Sequence, residues 1–455
     1  MTALRTSCLN IWEVLAQSIA MLGPTLTPVL IVPLMFASAG NASWLAYALG
    51  SLMLLAVALN VREFATRSSS AGSLYDYAYR AFGVRGSALC GWALIWSYAF
   101  VCIAGLTGFA IFANALTPLT HVALAPIVAL GIVLAIAMLL AYRDIRLSTI
   151  TMLALEAVSI TLILVLFGFV LAHHGTIVDP EQLHLRGGTL SGVALGSTIA
   201  IFSLVGFESA TSLGEEARDP LHTIPRAVIL SVAISGAFFV FCAYVEVFGA
   251  RGLPSSLDRL GTPLDALADA ARVPALKYAI DAGALLSSFS IALAALNAGA
   301  RIVFDMSRSG VFPRALAKTH PTYLTPSVAL AVFGAISGIV GGGMLLGGIS
   351  PIDAFNDTAT LGSFGFVAIY AFVALGAPFY LHRIGELRRR HIALSAFTLA
   401  LLLVPAIGSI YPVQPPPGDR FPYIFATYAL VGTIVLWRRA RSDDDKTAAA
   451  TSAIV

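Results

Sequence analysis

Residues 12–37, 41–62, 86–116, 122–141, 148–173, 191–215, 224–249, 276–306, 326–346, 353–379, 390–410 and 420–438 form about twelve apolar runs. Each is long enough to cross a ~30 Å hydrocarbon layer as a helix. In lipid every backbone N–H and C=O must find its partner inside the protein, which leaves only helices or closed barrels. The runs are continuous rather than alternating, so they read as helices. Hydrophobic residues make up 58% of the 455-residue chain, more than one soluble core can hide. The fold class that follows is an all-α polytopic membrane protein.

Charge then orients the helices. Arg62, Arg67, Arg80 and Arg85 share one connection, and Arg383, Arg388, Arg389 and Arg390 another, whereas residues 116–122 and 347–353 carry no Lys or Arg. The excess of basic residues on one side places both termini in the cytoplasm and the chain in the cell inner membrane. A net charge of +3 reflects this asymmetry alone, and no basic patch interleaved with aromatics points to nucleic acid. Ala37-Ser38-Ala39 resembles a signal-peptidase site, but the segment before it is too long and carries Pro24, Pro28 and Pro33. It reads as the outer end of the first spanning helix. Cys8, Cys90, Cys102 and Cys242 are scattered, and His173-His174 stands alone, so neither disulfides nor a metal site is expected. With no HExxH, Walker or GxSxG motif, the chain does not read as an enzyme, and no cofactor beyond a coupling H+ or Na+ is expected.

Two of the spans are interrupted. GPTLTP, residues 23–28, breaks the first, and FSLVG, residues 202–206, breaks the sixth. Pro24 and Pro28 lack an N–H and clash with the preceding turn. Such backbone survives in a membrane only where it faces protein, water or a ligand. A broken helix presents free carbonyls on its first half and free N–H groups on its second. The carbonyls suit an ammonium and the N–H groups a carboxylate, so two facing breaks form a receptor for a zwitterion. Breaks five spans apart fit two inverted repeats, about 12–173 and 191–379, with the substrate between them. The remaining residues divide into an N-terminal segment 1–11, two added helices in 390–438 and a disordered tail 439–455. Residues 250–273 and 68–83 read as amphipathic segments lying along the two membrane surfaces.

GFESATSLGEEARDPLHTIPRAV at 206–228 resembles the sixth-helix signature of the amino acid–polyamine–organocation (APC) superfamily of permeases. SAGSLYDYAYRAFG at 70–83 is similar to that family's first inner loop, and LAALNAGARIVFDMSRSGVFPRALAKTHPTYLTP at 293–326 to its eighth helix and following loop. The resemblance implies a LeuT-like five-plus-five inverted-repeat core plus two helices, working by alternating access. It implies substrate contacts from Met21, Gly23, Thr25 and Leu26 in the first helix. From the sixth it implies Phe202, Ser203, Val205 and Gly206, with Phe202 as an aromatic that closes over the substrate. Two departures stand out. Pro24 replaces a residue able to donate an amide, and no lysine lies in the fifth helix, where Ser159 takes the matching place.

The acids near the breaks carry the remaining expectations. Glu208 is either a protonatable group in coupling or a carboxyl that pins the two breaks through the first helix's unwound backbone. Glu156 is a coupling or ammonium-binding carboxylate or a packing bond. Glu215 and Glu216 are expected to pair with Arg218, Arg226 or loop arginines, and Arg301 with Asp305 one turn away. Glu13 and Glu63 read as interfacial and paired. Ser287, Ser288 and Asn297 could contact an ion or the substrate, although small polar residues also serve close packing. The expected function is secondary transport of amino acids, most simply neutral ones because the site residues offer no fixed charge. Polyamine or cationic amino-acid carriage is the alternative, and a channel or nutrient sensor the reading from another class.

Overall fold

The computed structural model describes residues 4–435 apart from 261, 262 and 412. A helix occupies each expected span, the last only as far as residue 435, and the expected tail 439–455 lies outside the described residues. The helices are α1 (Ile11–Leu22), α2 (Val32–Ala39), α3 (Ser43–Ala65), α4 (Leu74–Ala115), α5 (Pro126–Arg143), α6 (Ile145–His174) and α7 (Leu190–Leu204). They continue as α8 (Pro220–Gly249), α9 (Pro263–Ala270), α10 (Leu276–Arg308), α11 (Ser327–Leu346), α12 (Pro351–Arg383), α13 (Arg389–Gly408) and α14 (421–435).

Local chemistry sets several of these boundaries. Asn10 caps α1 by accepting from Trp12 N and Glu13 N at 2.9 and 3.1 Å, while Glu13 Oε2 accepts from Asn10 N at 2.7 Å. The other Glu13 oxygen takes Arg146 Nε at 2.9 Å, so this interfacial acid is paired as expected. Glu63 is paired with Arg67 at 3.0 Å. The surface segment at 68–83 joins end to end with the third span. Gly83, at φ 74° and ψ −166°, is the non-helical joint between them.

α4 lies at the centre, packed on α10 and α12, while α3 packs on α7 and α8, and α1 on α6, α8 and α10. Little separates apolar helices from lipid except fit, so contacts rely on small residues. A Cβ on Gly105 of α4 would stand 2.6 Å from Ala292 N in α10, so only glycine permits that approach. Arg67 bridges to Glu386, and Arg383 donates to Arg80 O. The arginine-rich connections therefore gather on one face of the molecule.

The opposite face carries α9, whose Leu264 and Leu267 join an apolar cluster with Leu26, Val29, Phe167 and Ile291. The amphipathic segment thus covers the end of the molecule above the first break. Beside it Asp179 accepts from Gln182 Nε2 at 2.9 Å and from Arg251 Nη2 at 3.0 Å. Burial alone would push the Asp179 carboxyl up, but the bonds from Gln182 and Arg251 outweigh it and hold it below the usual aspartate range. A depressed value stabilises the fold fully above the ordinary value of about 4, and the contribution fades as pH falls through the folded value. Melting temperature should therefore drop on acidification below about pH 4. Asp179→Asn should flatten that dependence, and an unchanged profile would remove the clamp from the account.

Candidate functional site

Two helix breaks meet between α1 and α7. α1 ends at Gly23, φ 57°, where Pro24 removes the next donor and the chain re-enters helix through a wide π turn at Thr27–Ile31. α7 ends at Leu204, Gly206 adopts φ 93°, and a 3₁₀ stretch follows at Phe207–Leu213. Both glycines occupy backbone that L side chains avoid. A Cβ on Gly206 would collide with Met21, so Met21 lies against the second break.

Ser18 fastens the two together. Its Oγ donates to Phe207 O at 2.5 Å and accepts from Ala210 N at 3.0 Å, and Ser209 Oγ donates to Gln17 O at 3.3 Å. That corrects the expectation that Glu208 pins the first helix. Glu208 faces away from α1 and accepts from Tyr98 OH of α4 at 2.9 Å and Tyr370 OH of α12 at 2.6 Å. Tyr370 OH also accepts from Gly206 N at 3.0 Å. The carboxyl therefore anchors the second break to α4 and α12, through chemistry that needs an acceptor on both oxygens.

Around the breaks, Val205 and Leu26 are buried and Phe202 half-buried. Ser203 Oγ lies 3.0 Å from Tyr47 OH of α3. Thr25 and Thr27 bury hydroxyls that have no hydrogen-bond partner among the described residues. Buried hydroxyls almost always find one, so a pair of open ones beside broken backbone is a place for a ligand.

A second cluster lies between α6 and α10. Ser287 Oγ donates to Glu156, standing 3.1 and 3.2 Å from its two oxygens, and Ser159 Oγ donates to Gly283 O at 2.9 Å. Ser288 Oγ is turned to Ala284 O at 2.7 Å. Asn297 leaves its side-chain nitrogen buried and unpartnered among the described residues, while its backbone carbonyl accepts from Arg301 Nη1 at 2.9 Å.

Towards the arginine-rich face the pairing differs from the expected one. Glu216 binds Arg301 rather than Arg218 or Arg226, through two parallel bonds of 2.7 and 2.8 Å, both side chains being at most 2% exposed. Arg301 thus reaches across to the second break instead of along α10 to Asp305, because a planar guanidinium gains most from a bidentate carboxylate. Asp305 stands 3.8 Å from Arg308, which binds Glu215 at 2.7 Å. Backbone bonds complete a latch: Cys8 N and Leu9 N donate to Glu216 O at 2.8 and 3.0 Å, and Arg218 N to Leu9 O at 3.0 Å. Arg5 adds an ion pair to Asp144 at 2.7 Å.

One residue escaped the sequence reading. Glu246 of α8 is fully buried and, among the described residues, neither carboxyl oxygen has a hydrogen-bond partner. It shares a helix face with Phe239, seven residues earlier, whose ring lies 5.8 Å from that of Tyr47. Tyr47 in turn meets Ser203 through its hydroxyl at 3.0 Å, so the α8 face that carries Glu246 leads toward the second break. The available signal was a lone acid in the apolar run YVEVF, residues 244–248. A cavity of 640 Å³ among α12, α13 and α14 is lined mainly by aliphatic and aromatic side chains and by no break residue. Its chemistry suits acyl chains rather than a polar ligand.

Residues 9–436 match the family described as "Amino acid permease". The chain is similar to the low-affinity putrescine importer PlaP of Escherichia coli (strain K12), 29% identical over 304 residues. That alignment covers 64% of this chain and spans 65% of the importer's length. It is also similar to the branched-chain amino acid permease BcaP of Bacillus subtilis (strain 168), 28% identical over 348 residues, covering 72% of this chain and 71% of that one. A crystal structure of a manganese transporter from Eremococcus coleocola superposes with TM-score 0.59 at 14% identity over 96% of this chain and 97% of that one. At that identity the likeness concerns the fold alone.

Proposed function

Since the chain belongs to the amino acid permease family, we propose that it is a secondary active transporter of amino acids, working by alternating access between the two breaks. The observation that carries this is the pair of facing helix ends with the open hydroxyls of Thr25 and Thr27 beside them. Carbonyls ending α1 and α7 suit the substrate ammonium, and the N–H groups that follow suit its carboxylate. Met21, Leu26, Phe202, Ser203 and Val205 provide uncharged contacts, which favour a neutral side chain. The arginine-rich face is assigned to the cytoplasm of the cell membrane, and the Glu216–Arg301 latch then closes the cytoplasmic path.

A second reading, carriage of cationic amino acids or polyamines, rests on Glu246 alone, a buried carboxyl without a hydrogen-bond partner among the described residues. Coupling is assigned to a proton exchanged at Glu156. Intramembrane carboxyls mark proton pathways, and Glu156 is buried between α6 and α10 with Ser287 Oγ donating to it.

Uptake of radiolabelled neutral amino acids, cationic amino acids and polyamines into proteoliposomes tests the proposal. Accumulation driven by an imposed proton gradient and not by a sodium gradient is expected, together with gradient-free counterflow of the same substrates. No accumulation and no counterflow of any compound would end the amino-acid reading. Within that assay Glu156→Gln should lose the pH dependence of transport. Glu208→Gln should keep it while lowering the melting temperature, because an amide nitrogen cannot accept from a tyrosine hydroxyl and one charge-assisted bond worth about 1.5–3 kcal/mol is lost. Loss of pH dependence in Glu208→Gln would move the coupling role to Glu208.

A further inference from the structure

Away from the breaks, the arginine-rich face holds a cleft of 370 Å³ between the end of α3 and the start of α13. Its rim carries Arg62, Glu63, Thr66, Arg67, Arg390 and His391. Arg67 is neutralised, bound to Glu63 at 3.0 Å and Glu386 at 2.7 Å. Arg62 and Arg390 are exposed, and among the described residues neither guanidinium pairs with an acid. Arg390 Nε is directed at His391 Nε2, 3.2 Å away, while His391 Nδ1 faces Arg388 N at 3.2 Å. A neutral imidazole has only one accepting nitrogen, so both bonds cannot exist together. His391 therefore offers Arg390 at most one neutral acceptor and no countercharge, and the charges of Arg62 and Arg390 face one cleft from two helices.

The wall beneath is apolar. Leu59 lies one turn before Arg62, and Leu394 one turn after Arg390, both lining the cleft on the side of the hydrocarbon. At the same level Asn60 bonds Ser395 and Thr398 at 2.9 Å each and holds the two helices together. Isoleucine and phenylalanine at Ile392 and Phe397 are exposed on the same helix. The cleft is thus cationic at the membrane surface and apolar one turn deeper, which is the vertical order of a phospholipid.

We propose that this cleft binds an anionic phospholipid of the leaflet on that face, with its phosphate between Arg62 and Arg390 and an acyl chain over Leu59 and Leu394. Guanidinium groups suit phosphate oxygens by bidentate geometry, and basic pockets between membrane helices select anionic headgroups. A free phosphate would use the arginines and leave the apolar wall unoccupied. The bound lipid joins α3 to α13 at the surface, and the site is independent of the transport reading.

Native mass spectrometry of the full-length protein, with phosphatidylglycerol and phosphatidylcholine of identical chains, tests this. The wild type should retain phosphatidylglycerol at about tenfold lower lipid concentration than phosphatidylcholine. Arg62→Ala with Arg390→Ala should reduce retention to that of phosphatidylcholine, while Arg389→Ala, exposed but outside the cleft, should not. Arg62→Gln and Arg390→Gln singly, which preserve the walls, carry the test if the double variant fails to fold. Equal retention by these variants, or an equal loss in Arg389→Ala, would overturn the site in favour of diffuse charge. Displacement of phosphatidylglycerol by millimolar inorganic phosphate would assign the cleft to free anions and overturn the lipid.

Discussion

Arg301→Ala is expected to lower stability by about 3–5 kcal/mol and to abolish transport, because it leaves the Glu216 carboxylate buried with no counter-charge. The pair is at most 2% exposed on both sides, so water cannot replace the missing partner. Two readouts separate stability from mechanism. The first is melting of the purified protein, which should fall for Arg301→Ala and for Glu216→Ala alike. The second is maleimide labelling of Cys8, whose amide bonds Glu216 O and whose thiol is half-buried. Burial, reinforced by the charge of Glu216, pushes the Cys8 thiol up and keeps it slow to react while the latch is closed. Cys90, Cys102 and Cys242 are buried, so the labelling reports on one position. Breaking the pair should speed that labelling.

Replacing both partners, Arg301→Met with Glu216→Leu, should recover much of the lost melting temperature. Both desolvation costs disappear together, and apolar substitutes often match or exceed a buried ion pair. Transport should stay lost, because a latch that opens and closes needs attraction that can be exchanged for water. A double variant that transports like the wild type would reduce the pair to packing.

The spans were legible because lipid imposes one rule on every backbone group, and long apolar runs have few other solutions. The breaks were legible for the same reason. Pro24 cannot sit inside an intact helix, and Gly206 follows an apolar run and precedes an acid. Partners were harder to read. Glu216 has Arg218 and Arg226 close in sequence, yet it binds Arg301, 85 residues away. Helical spacing ranks neighbours along one helix and says nothing of what a second helix brings across a gap. Glu208 shows the same limit, since Tyr98 and Tyr370 are 110 and 162 residues away. A carboxyl is visible in a sequence, but the number of hydroxyls pointing at it is not. Glu246 was missed for the opposite reason. Valines and aromatics on both sides made the run read as plain membrane span, although a lone acid inside it was the signal, and the lack of a hydrogen-bond partner among the described residues then sets the acid apart.

That absence leads to the second large effect. An ionised carboxyl in an apolar interior with neither oxygen bonded costs several kcal/mol unless it takes up a proton or a partner, so an intramembrane acid of this kind is a candidate ligand or proton site. Glu246 lies on the α8 face that sets Phe239 against Tyr47, whose hydroxyl meets Ser203, so the cationic reading assigns it an ammonium at the far end of an elongated substrate bound at the breaks. Under the cationic reading, Glu246→Gln should lower uptake of lysine or putrescine by about 100-fold or more, the loss of a buried charged partner worth about 3–5 kcal/mol. Leucine uptake in the same vesicles should change less than about twofold, since a neutral side chain has no charge to lose. A wild type that carries no cationic compound defeats this reading at the first measurement, leaving neutral transport intact. Equal losses for leucine and lysine would make Glu246 a packing group, and unchanged rates for both would take it out of the substrate path. Only a loss confined to cations fits a carboxyl kept unpaired for the substrate to complete.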